Sequence, residues 1–493
     1  MSTKSLAAHF TEQVLRAPDA PALIWDGQAT SYGELAAMAQ RASEEHDLAG
    51  LPADRPVGIR AKKSPEAIAL ILACLQDGLP FLLPSIELAA ETLAKLFAQA
   101  GVSTVLSPSG PRSDSAASLR ALVEAPESID APPSEWPPVG GADGVTFMLT
   151  TSGSTGLPKI VPLRAEGVDA FTDWAAEQFG IAPGTVVANY APLNFDLCLL
   201  DIWTTLKHGG CVVLVDQDRA TQSPYLSGLI RDKGVNVLQA VPMLYRLLID
   251  VHRETGDVFE TVRHVITTGD KMPATSLAEL PTLFANARYY NIYGCTETND
   301  SFMHEFLGLR DGQVPANVPI GEPLPGVITH VQEDGELLVR TPFQTRGYLK
   351  ASLNPERFTE LDGVSYYRTG DIVRRQDDGS LTLQGRADFY VKVRGVRVST
   401  QVVEQAIQEH PEVVEVGVVA IEDELAGKRL CAIVRKEPDS ALNSLKLRQH
   451  CMTRLARTEM PSKITIGTDP LPKTSTGKVD RKAITAELER TQS

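Results

Sequence analysis

Glycines and small hydroxyl residues dominate the segment LTTSGSTGLPKIV, which spans residues 149–161 and contains one lysine, Lys159. Hydroxyl groups, and backbone N–H groups at glycines, can surround phosphate oxygens, but Ser, Thr and Gly are equally common in connecting loops. The segment is not a Walker A loop, because Leu157 and Pro158 separate Gly156 from Lys159. From this segment alone, a phosphate-binding loop and a polar connector both remain open.

Five further segments with charged or hydroxyl residues follow along the chain. In order they are NFDLCLLDIW (194–203), NIYGCTETND (291–300), YRTGD (367–371), GRADFYVKVRGVRV (385–398) and PKTSTGKVDRKAI (472–484). Together with TTSGSTGLPK they resemble motifs of the adenylate-forming superfamily, which includes acyl-CoA synthetases, luciferases and the adenylation domains of nonribosomal peptide synthesis. The resemblance extends from TSYGEL at residues 30–35 to TGKVDR, nearly the whole chain. It favours the phosphate loop for residues 149–161.

The resemblance implies a two-step reaction that activates a carboxylic acid. In the first step the carboxylate attacks the α-phosphate of ATP, which gives an acyl-adenylate and releases pyrophosphate. Negative charge then accumulates on the α-phosphoryl group and on the pyrophosphate, so the protein must place hydrogen-bond donors and cations there. In the second step a thiol takes up the acyl group.

By the same resemblance, ATP is bound by the phosphate loop, by residues around adenine and by residues at the ribose. Tyr293 would stack on adenine, and Asp371 would accept hydrogen bonds from both ribose hydroxyls. This chain departs from the family at Ile160, where the family has Gly after the lysine. The implied ATP-binding residues are Thr150, Thr151, Ser152, Gly153, Ser154, Thr155, Gly156, Lys159, Gly269, Asp270, Tyr293, Gly294, Asp371 and Arg386.

Four further residues have roles in the reaction that the resemblance implies. Thr296 would contact the α-phosphate, and Glu297 would bind Mg²⁺, a cation that prefers carboxylate and phosphate oxygens. Lys478 would bridge the substrate carboxylate and the α-phosphate in the first step only. Asp388 would be the hinge between the adenylating and thioester-forming arrangements.

Asp196 lies in the segment NFDLC and bears on the class of acid. In amino-acid-activating members an FD-x-S motif places this aspartate against the substrate ammonium, which would keep a buried carboxylate charged; here Cys198 replaces the serine. A strand-end aspartate that caps the next helix is the alternative. An α-amino, a β-amino and an imino acid remain open. The expected substrate pocket comprises Asp196, Phe195, Leu197, Leu200, Gln239, Ile266, Thr268, Ile292, Asp300 and Ser301.

The thiol acceptor is expected to be the phosphopantetheine of a discrete acyl or peptidyl carrier protein, because the sequence ends 15 residues after Lys478 without a carrier domain. Free coenzyme A is the alternative, which would make the protein an acyl- or aryl-CoA synthetase. A nucleotide-binding regulator and a luciferase-like oxygenase are further alternatives. The basic residues Lys392, Arg394 and Arg397 are either a face for an acidic carrier or an ordinary solvated strand face.

The composition is that of a globular protein, with 43% hydrophobic and 22% charged residues in a chain of 493. The net charge of −15 argues against bulk nucleic-acid binding. The longest apolar run, Ala67–Leu75, is too short to span a bilayer and predicts a buried helix. The six scattered cysteines fit a reducing cytoplasm, where we expect the protein.

The order of strand-like and helical segments along the chain predicts an α/β fold. Short β-branched runs alternate with helical segments between residues 145 and 267, which indicates parallel strands joined by crossover helices. Residues 328–385 predict antiparallel structure, which we interpret as a small β-barrel. We therefore expect a large AMP-binding domain, residues 1–387, with net charge −17, and a small mobile α+β lid domain, residues 388–493, with net charge +2.

Overall fold

The computed structural model describes residues 5–108, 144–151, 157–315, 317–377, 379–393, 396–423, 427–455, 457, 459–473 and 479–490. The surface connection predicted for Ser107–Asp143 lies outside these residues apart from its first two positions, as do the loop residues 152–156 and Lys478. The chain divides into two compact units. The first comprises Met1–Thr329, Leu338–Arg368 and Asp377–Thr382, and the second comprises His330–Leu337, Thr369–Gln376 and Leu383–Ser493.

The described residues contain strands and helices throughout. The strands are β1 Pro21–Trp25, β2 Gln28–Ser31, β3 Val57–Ile59, β4 Phe81–Leu82, β5 Val105–Leu106, β6 Val145–Thr151, β7 Lys159–Arg164, β8 Val186–Asn189, β9 Cys211–Leu214, β10 Val237–Ala240, β11 His264–Thr267, β12 Arg288–Cys295, β13 Asn299–Glu305, β14 Pro319–Pro323, β15 Ile328–Val331, β16 Glu336–Arg340, β17 Phe358–Leu361, β18 Val364–Arg375, β19 Leu381–Arg386, β20 Tyr390–Val393, β21 Val396–Ser399, β22 Val413–Asp423, β23 Gly427–Lys436 and β24 Lys463–Gly467. The helices are α1 Leu6–Arg16, α2 Tyr32–His46, α3 Pro65–Gln76, α4 Ala90–Gln99, α5 Ala165–Phe179, α6 Thr205–Lys207, α7 Ser223–Asp232, α8 Pro242–Thr255, α9 Ala274–Leu283, α10 Thr400–Gln408, α11 Ser444–Met452 and α12 Arg481–Arg490.

The first unit contains a parallel sheet with the order β12-β11-β10-β8-β9-β1. The strands are short and rich in β-branched residues, as in Val212 and Val237, and they are buried because helices cover a parallel sheet on both faces. Antiparallel strands extend the sheet at each edge, β2 beside β1 and β13 beside β12. The predicted alternation of parallel strands and crossover helices is confirmed.

A second sheet of the first unit has the order β5-β3-β4-β6-β7. Its strands are parallel except for the antiparallel pair β6 and β7, in which Thr151 lies opposite Lys159. The apolar run that begins at Ala67 forms most of α3 and is buried, as predicted. Because β6 and β7 are paired up to Thr151 and Lys159, the connection between them begins and ends at the same place on the sheet.

A tight hairpin joins β12 to β13 in the first unit. Gly294 lies opposite Asp300, and Cys295 lies opposite Asn299, whose φ of +56° is left-handed. The register shifts between Tyr293 and Gly294, as at a β-bulge. The hairpin therefore turns back within the motif that contains Thr296 and Glu297.

The second unit contains a sheet in which β23 pairs antiparallel with β22 and parallel with β24. Its core includes Val403 of α10, Val418 of β22 and Leu447 of α11. The sequence LKLRQHCMTRLARTEM, residues 445–460, predicts one helix, but that prediction is wrong beyond Met452, where α11 ends. The Thr453 hydroxyl donates to the backbone oxygen of His450, at 2.9 Å, and so closes the helix end.

The predicted fold class is confirmed, since the chain is mixed α/β with a large N-terminal sheet region and a small C-terminal region. Antiparallel pairing within residues 319–382 is present, between β14 and β19 and between β17 and β18. The closure of a barrel, the mobility of the small region and a boundary at Asp388 stay predictions. No helix in the described ranges is long and apolar enough to cross a membrane.

The close packing of the hairpin after β12 predicts that Gly294 cannot be replaced without a loss of stability. A Cβ atom at this position would lie 2.3 Å from the Asn299 carbonyl oxygen and 2.7 Å from the Asp300 Cα, both backbone atoms. Gly294→Ala should therefore open the hairpin and lower the free energy of unfolding by about 1–3 kcal/mol, measured by chemical denaturation.

The matched control for this substitution is Gly228→Ala within α7. A Cβ atom there would meet only the Asp232 carboxylate, at 3.9 Å. It should leave stability equal or raise it by about 0.5–1 kcal/mol, as expected for Ala in a helix. Equal unfolding free energies for Gly294→Ala and the parent chain would contradict the steric argument.

Candidate active site

The carboxyl ends of β8, β10 and β11 converge on one edge of the parallel sheet, which is where α/β proteins bind ligands. Gln239 and Ile266 lie at the ends of β10 and β11, and Thr268 follows β11 directly. The segment with Asp196 follows β8 and turns twice, with the Phe195 N–H bonded to Pro192 O and the Cys198 N–H bonded to Phe195 O. Adjacent parallel strands thus bring distant sequence motifs to one place.

Asp196 is half-buried and lies beside the TET motif. The Thr296 hydroxyl forms a hydrogen bond with its carboxylate. Burial raises the pKa of Asp196, and the negative charge of Glu297 raises it further. Asp300 is also half-buried, and burial together with the charge of Asp196 raises its pKa to about 8. Four residues that the sequence assigned to ATP, metal and substrate are therefore neighbours in the first unit.

Glu297 is buried and is held by hydroxyl groups. The Tyr348 hydroxyl donates to Glu297 Oε1 at 2.6 Å, and the Thr151 hydroxyl lies 3.5 Å from the same oxygen. The hydroxyl of Tyr367 lies 3.2 Å from that of Tyr348. Burial and the nearby Glu297 charge raise the pKa of both tyrosines, so both are neutral donors at ordinary pH.

Lys159 lies at the base of the predicted phosphate loop and contacts the same cluster. Its Nζ lies 3.4 Å from the Tyr348 hydroxyl and 4.7 Å from the centre of the Tyr348 ring. Ile160, which replaces the family's glycine, is a buried strand residue opposite Thr150. The loop residues Ser152, Gly153, Ser154, Thr155 and Gly156 lie outside the described residues.

The residues expected around adenine differ in exposure. Tyr293 is half-buried, with its ring edge-on to Phe302 at a centroid distance of 5.9 Å. Gly269 is exposed and has a φ of +78°, which favours glycine. Asp270 is exposed, and its carboxylate accepts a hydrogen bond from the Lys271 N–H at 2.8 Å. Their contacts with a nucleotide stay predictions.

The expected pocket residues fall into a polar and an apolar set. Leu200, Ile266 and Ile292 are apolar and almost completely buried. Gln239 is 1% exposed, and its amide points into the protein, where it donates to the Leu197 carbonyl and to Asp201. The remaining members, Phe195, Leu197, Thr268 and Ser301, range from half-buried to fully buried.

In the second unit, the two predicted ribose-site residues form an ion pair. Arg386 Nη1 donates to Asp371 Oδ1 at 2.9 Å, and Asp371 is mostly buried. The Asp371 N–H is bonded to the Thr369 hydroxyl at 3.0 Å, which fixes its backbone. Asp371 was expected at the ribose and Arg386 at the ribose or a phosphate, but their pairing with each other was not predicted.

The structure describes only some of the residues behind three expected features of the second unit. Asp388 lies in a short 3₁₀ turn, Ala387–Phe389, and its hinge role stays a prediction. Lys392 lies opposite Arg397 in the β20–β21 hairpin, while Arg394 and the proposed catalytic Lys478 lie outside the described residues.

Sequence reasoning missed a buried polar network and two tyrosines. Asp201 is fully buried and accepts hydrogen bonds from Asn189 and Gln239, while Lys63 is 3% exposed. A lone acid inside the apolar run LCLLDIW was an available signal for Asp201. Tyr348 and Tyr367 gave no comparable signal, because tyrosines are common in strands and their proximity to Glu297 depends on the tertiary fold.

The oxygen donors around Glu297 suit a hard divalent cation. In the part of the chain that the structure describes, no group of three or more His, Cys, Asp or Glu side chains is arranged to hold a metal ion by itself. Mg²⁺ does not need one, because it is usually held by one or two carboxylates together with substrate phosphates and water. Tyr348 and Thr151 both contact Oε1 of Glu297, so they fix the orientation of this carboxylate. A carboxylate is a ligand type that Mg²⁺ prefers.

Two family models match this chain. The AMP-binding enzyme model matches residues 10–349, and the AMP-binding enzyme C-terminal domain model matches residues 402–478. The chain is 34% identical over 357 residues to an L-proline–[L-prolyl-carrier protein] ligase of Pseudomonas fluorescens, over 70% of this chain and 69% of that protein. It is 27% identical over 486 residues to a D-alanine–D-alanyl carrier protein ligase of Bacillus velezensis, over 93% of this chain and 94% of that protein.

The same fold occurs in solved structures. An o-succinylbenzoate CoA synthetase from Bacillus subtilis, in complex with its acyl-adenylate intermediate, has a TM-score of 0.81 at 20% identity and covers 97% of both chains. At that identity the likeness concerns the fold. The model matches, the relative at 34% identity and the ordered motifs together establish that this chain belongs to the AMP-binding enzyme family and is an adenylate-forming ligase.

Proposed function

We propose that the protein activates an amino acid as its aminoacyl-adenylate at the expense of ATP and transfers it to the phosphopantetheine thiol of a separate carrier protein. The observation behind the amino-acid assignment is Asp196. Its half-buried carboxylate adjoins Thr296 and forms no ion pair with a described residue. Burial makes the charged form unfavourable unless a cation is near, and a substrate ammonium supplies that cation.

In the first step, the geometry supports a division of tasks among the residues of the first unit. Asp196 binds the ammonium, and the adjacent Thr296 contacts the α-phosphate, the role that the resemblance implies for it. Thr151 and Lys159 stand at the two ends of the phosphate loop, so a hydroxyl and a positive charge flank the phosphates. Lys478 belongs to the second unit and lies outside the described residues, and the family resemblance assigns it to the charge that develops during attack.

Mg²⁺ would be held by Glu297 together with the phosphates. When bound, the ion neutralises phosphate charge and orients the pyrophosphate leaving group. The Tyr348 hydroxyl keeps the Glu297 carboxylate in place, and Thr151 adds a second hydroxyl at the same oxygen. ATP bound in this way accounts for the grouping of loop base, carboxylate and tyrosines.

The carrier protein as acceptor is supported by the relatives. Both the Pseudomonas fluorescens and the Bacillus velezensis proteins are named as ligases of an amino acid and a carrier protein. An acyl- or aryl-CoA synthetase that uses free coenzyme A is the alternative, and it shares the fold. ATP–pyrophosphate exchange with a panel of amino acids, followed by thioester assays with a carrier protein and with coenzyme A, separates the two.

Asp196→Asn tests the class of acid. Removal of one partner from a buried charge pair costs about 3–5 kcal/mol, so adenylation of the true amino acid should fall about 100-fold or more. The des-amino analogue should lose far less, because it has no ammonium to bind. ATP–pyrophosphate exchange with both acids and both proteins measures the effect. A wild-type preference for the des-amino acid, or equal losses for both acids, would replace the amino-acid assignment by the CoA-synthetase alternative.

Lys478→Ala tests the lysine proposed for the first step only. Loss of a charge-assisted contact to the transition state should lower the adenylation rate about 100-fold or more, while thioester formation from a pre-made adenylate should persist. Lys482→Ala, an exposed lysine four positions later, is the control and should leave both steps unchanged. Equal losses in the two half-reactions would contradict a role confined to adenylation.

Glu297→Gln and Tyr348→Phe test the magnesium site. The first should raise the Mg²⁺ concentration for half-maximal exchange more than about tenfold, and the second should raise it about tenfold, as for partners that orient a metal ligand. Glu322→Gln, an exposed residue of β14, is the control and should leave the titration unchanged. The proposal fails if the magnesium titrations of both test variants coincide with that of the parent enzyme.

A further inference from the structure

A buried acid lies directly behind the turn that contains Asp196. Asp201 is 0% exposed and belongs to the π-helical segment Leu199–Thr204. The wide turns of such a segment are frequent at functional sites. The Asp201 carboxylate accepts a hydrogen bond from Asn189 Nδ2 at 3.0 Å on one oxygen and from Gln239 Nε2 at 3.3 Å on the other.

The Gln239 amide connects this acid to the Asp196 turn. Its Nε2 also donates to the Leu197 carbonyl oxygen at 3.2 Å. The same carbonyl accepts the N–H groups of Leu200, at 3.2 Å, and of Asp201, at 3.1 Å. Because Leu197 directly follows Asp196 in the chain, the position of this carbonyl determines how the Asp196 backbone enters the pocket.

A buried lysine provides the positive charge for Asp201. Lys63 donates from Nζ to the carbonyl oxygens of Asn189, at 3.0 Å, and of Tyr190, at 3.2 Å. Burial lowers the pKa of Lys63 to about 8, while the charge of Asp201 acts in the opposite direction. Burial raises the pKa of Asp201, and the bonds from Asn189 and the charge of Lys63 oppose that rise.

We propose that Asp201 is a positioning residue for the substrate-amine site, since it holds the Gln239 amide against the Leu197 carbonyl and thereby fixes the turn that presents Asp196. This inference rests on the proposed function, in which Asp196 binds the substrate ammonium. Asp201 itself acts through Gln239, so its loss should weaken recognition of the amine more than it slows the reaction.

The network offers a conservative variant and a disruptive one. Within the described residues, the buried Asn189 Oδ1 has no hydrogen-bond partner. In Asp201→Asn, the Asn189 amide can therefore turn over and accept a hydrogen bond from the new amide group, while the new carbonyl still accepts from Gln239. Asp201→Ala removes both acceptors and releases the Gln239 amide.

The test measures KM and kcat of ATP–pyrophosphate exchange for the amino acid and for its des-amino analogue. Asp201→Ala should raise KM for the amino acid about tenfold, within the range of couplings between residues of one network. It should change kcat and the KM of the analogue less than about threefold, and Asp201→Asn should restore KM to within about threefold of the parent value. Ser227→Ala, which removes a buried hydroxyl bonded to Asp257 in a different part of the unit, is the control for general destabilisation.

A double-mutant cycle distinguishes action through Asp196 from an independent effect. In the Asp196→Asn background, Asp201→Ala should add less than about a twofold change in KM, because the group that it positions is already lost. An equal effect in both backgrounds, or equal rises in KM for both acids, overturns the positioning role even when Asp196→Asn alone behaves as proposed. If Asp196→Asn alone affects both acids equally, the proposed function itself has failed. Asp201→Leu, which removes both acceptors and leaves no cavity, replaces Asp201→Ala if the latter does not fold, with the same expected results.

Discussion

The rest of the structure depends on one constraint, which is that several carboxylates lie close together in a partly buried pocket. Asp196, Glu297 and Asp300 influence one another electrostatically, and the pKa of Asp300 rises to about 8 as a result of burial and of Asp196. Like charges at short range repel, so only a rigid surrounding keeps such groups in place. The hairpin after β12 supplies that rigidity for Glu297 and Asp300, and the hydrogen-bonded turns after β8 supply it for Asp196.

Among the residues that the structure describes, hydroxyl groups contact two of these acids, Asp196 and Glu297. Thr296 bonds to Asp196, and Tyr348 bonds to Glu297 at 2.6 Å. A neutral donor orients a carboxylate without cancelling its charge, so the carboxylate remains available to an ammonium or a metal ion. A lysine or arginine in the same position would occupy the site permanently. The choice of Tyr348 and Thr296 thus agrees with a site that is built for charged ligands.

Much of the fold and part of the site could be predicted from the sequence, for physical reasons that differ between residues. Strands such as β8 and β10 were predictable because short β-branched runs express a local preference. Asp196 and Glu297 were predictable because their motifs are contiguous. The contacts of Asp201 and Tyr348 were not, since their partners Asn189, Gln239 and Glu297 lie 12, 38 and 51 residues away in sequence.

The pocket carries a cost in stability that its ligands can offset. Asp300 has a folded-state pKa of about 8, raised from 3.8, so the folded chain binds a proton that the unfolded chain has released, and stability falls as pH rises between these values. Lys63 has the opposite sign, since its pKa falls from 10.5 to about 8, and stability rises with pH in that interval. Near neutral pH the protonated form of Asp300 is therefore favoured, and a cationic ligand that pairs with its charged form binds with release of that proton. A loss of folding stability of this kind is expected where selection acts on ligand binding and not on the stability of the empty protein.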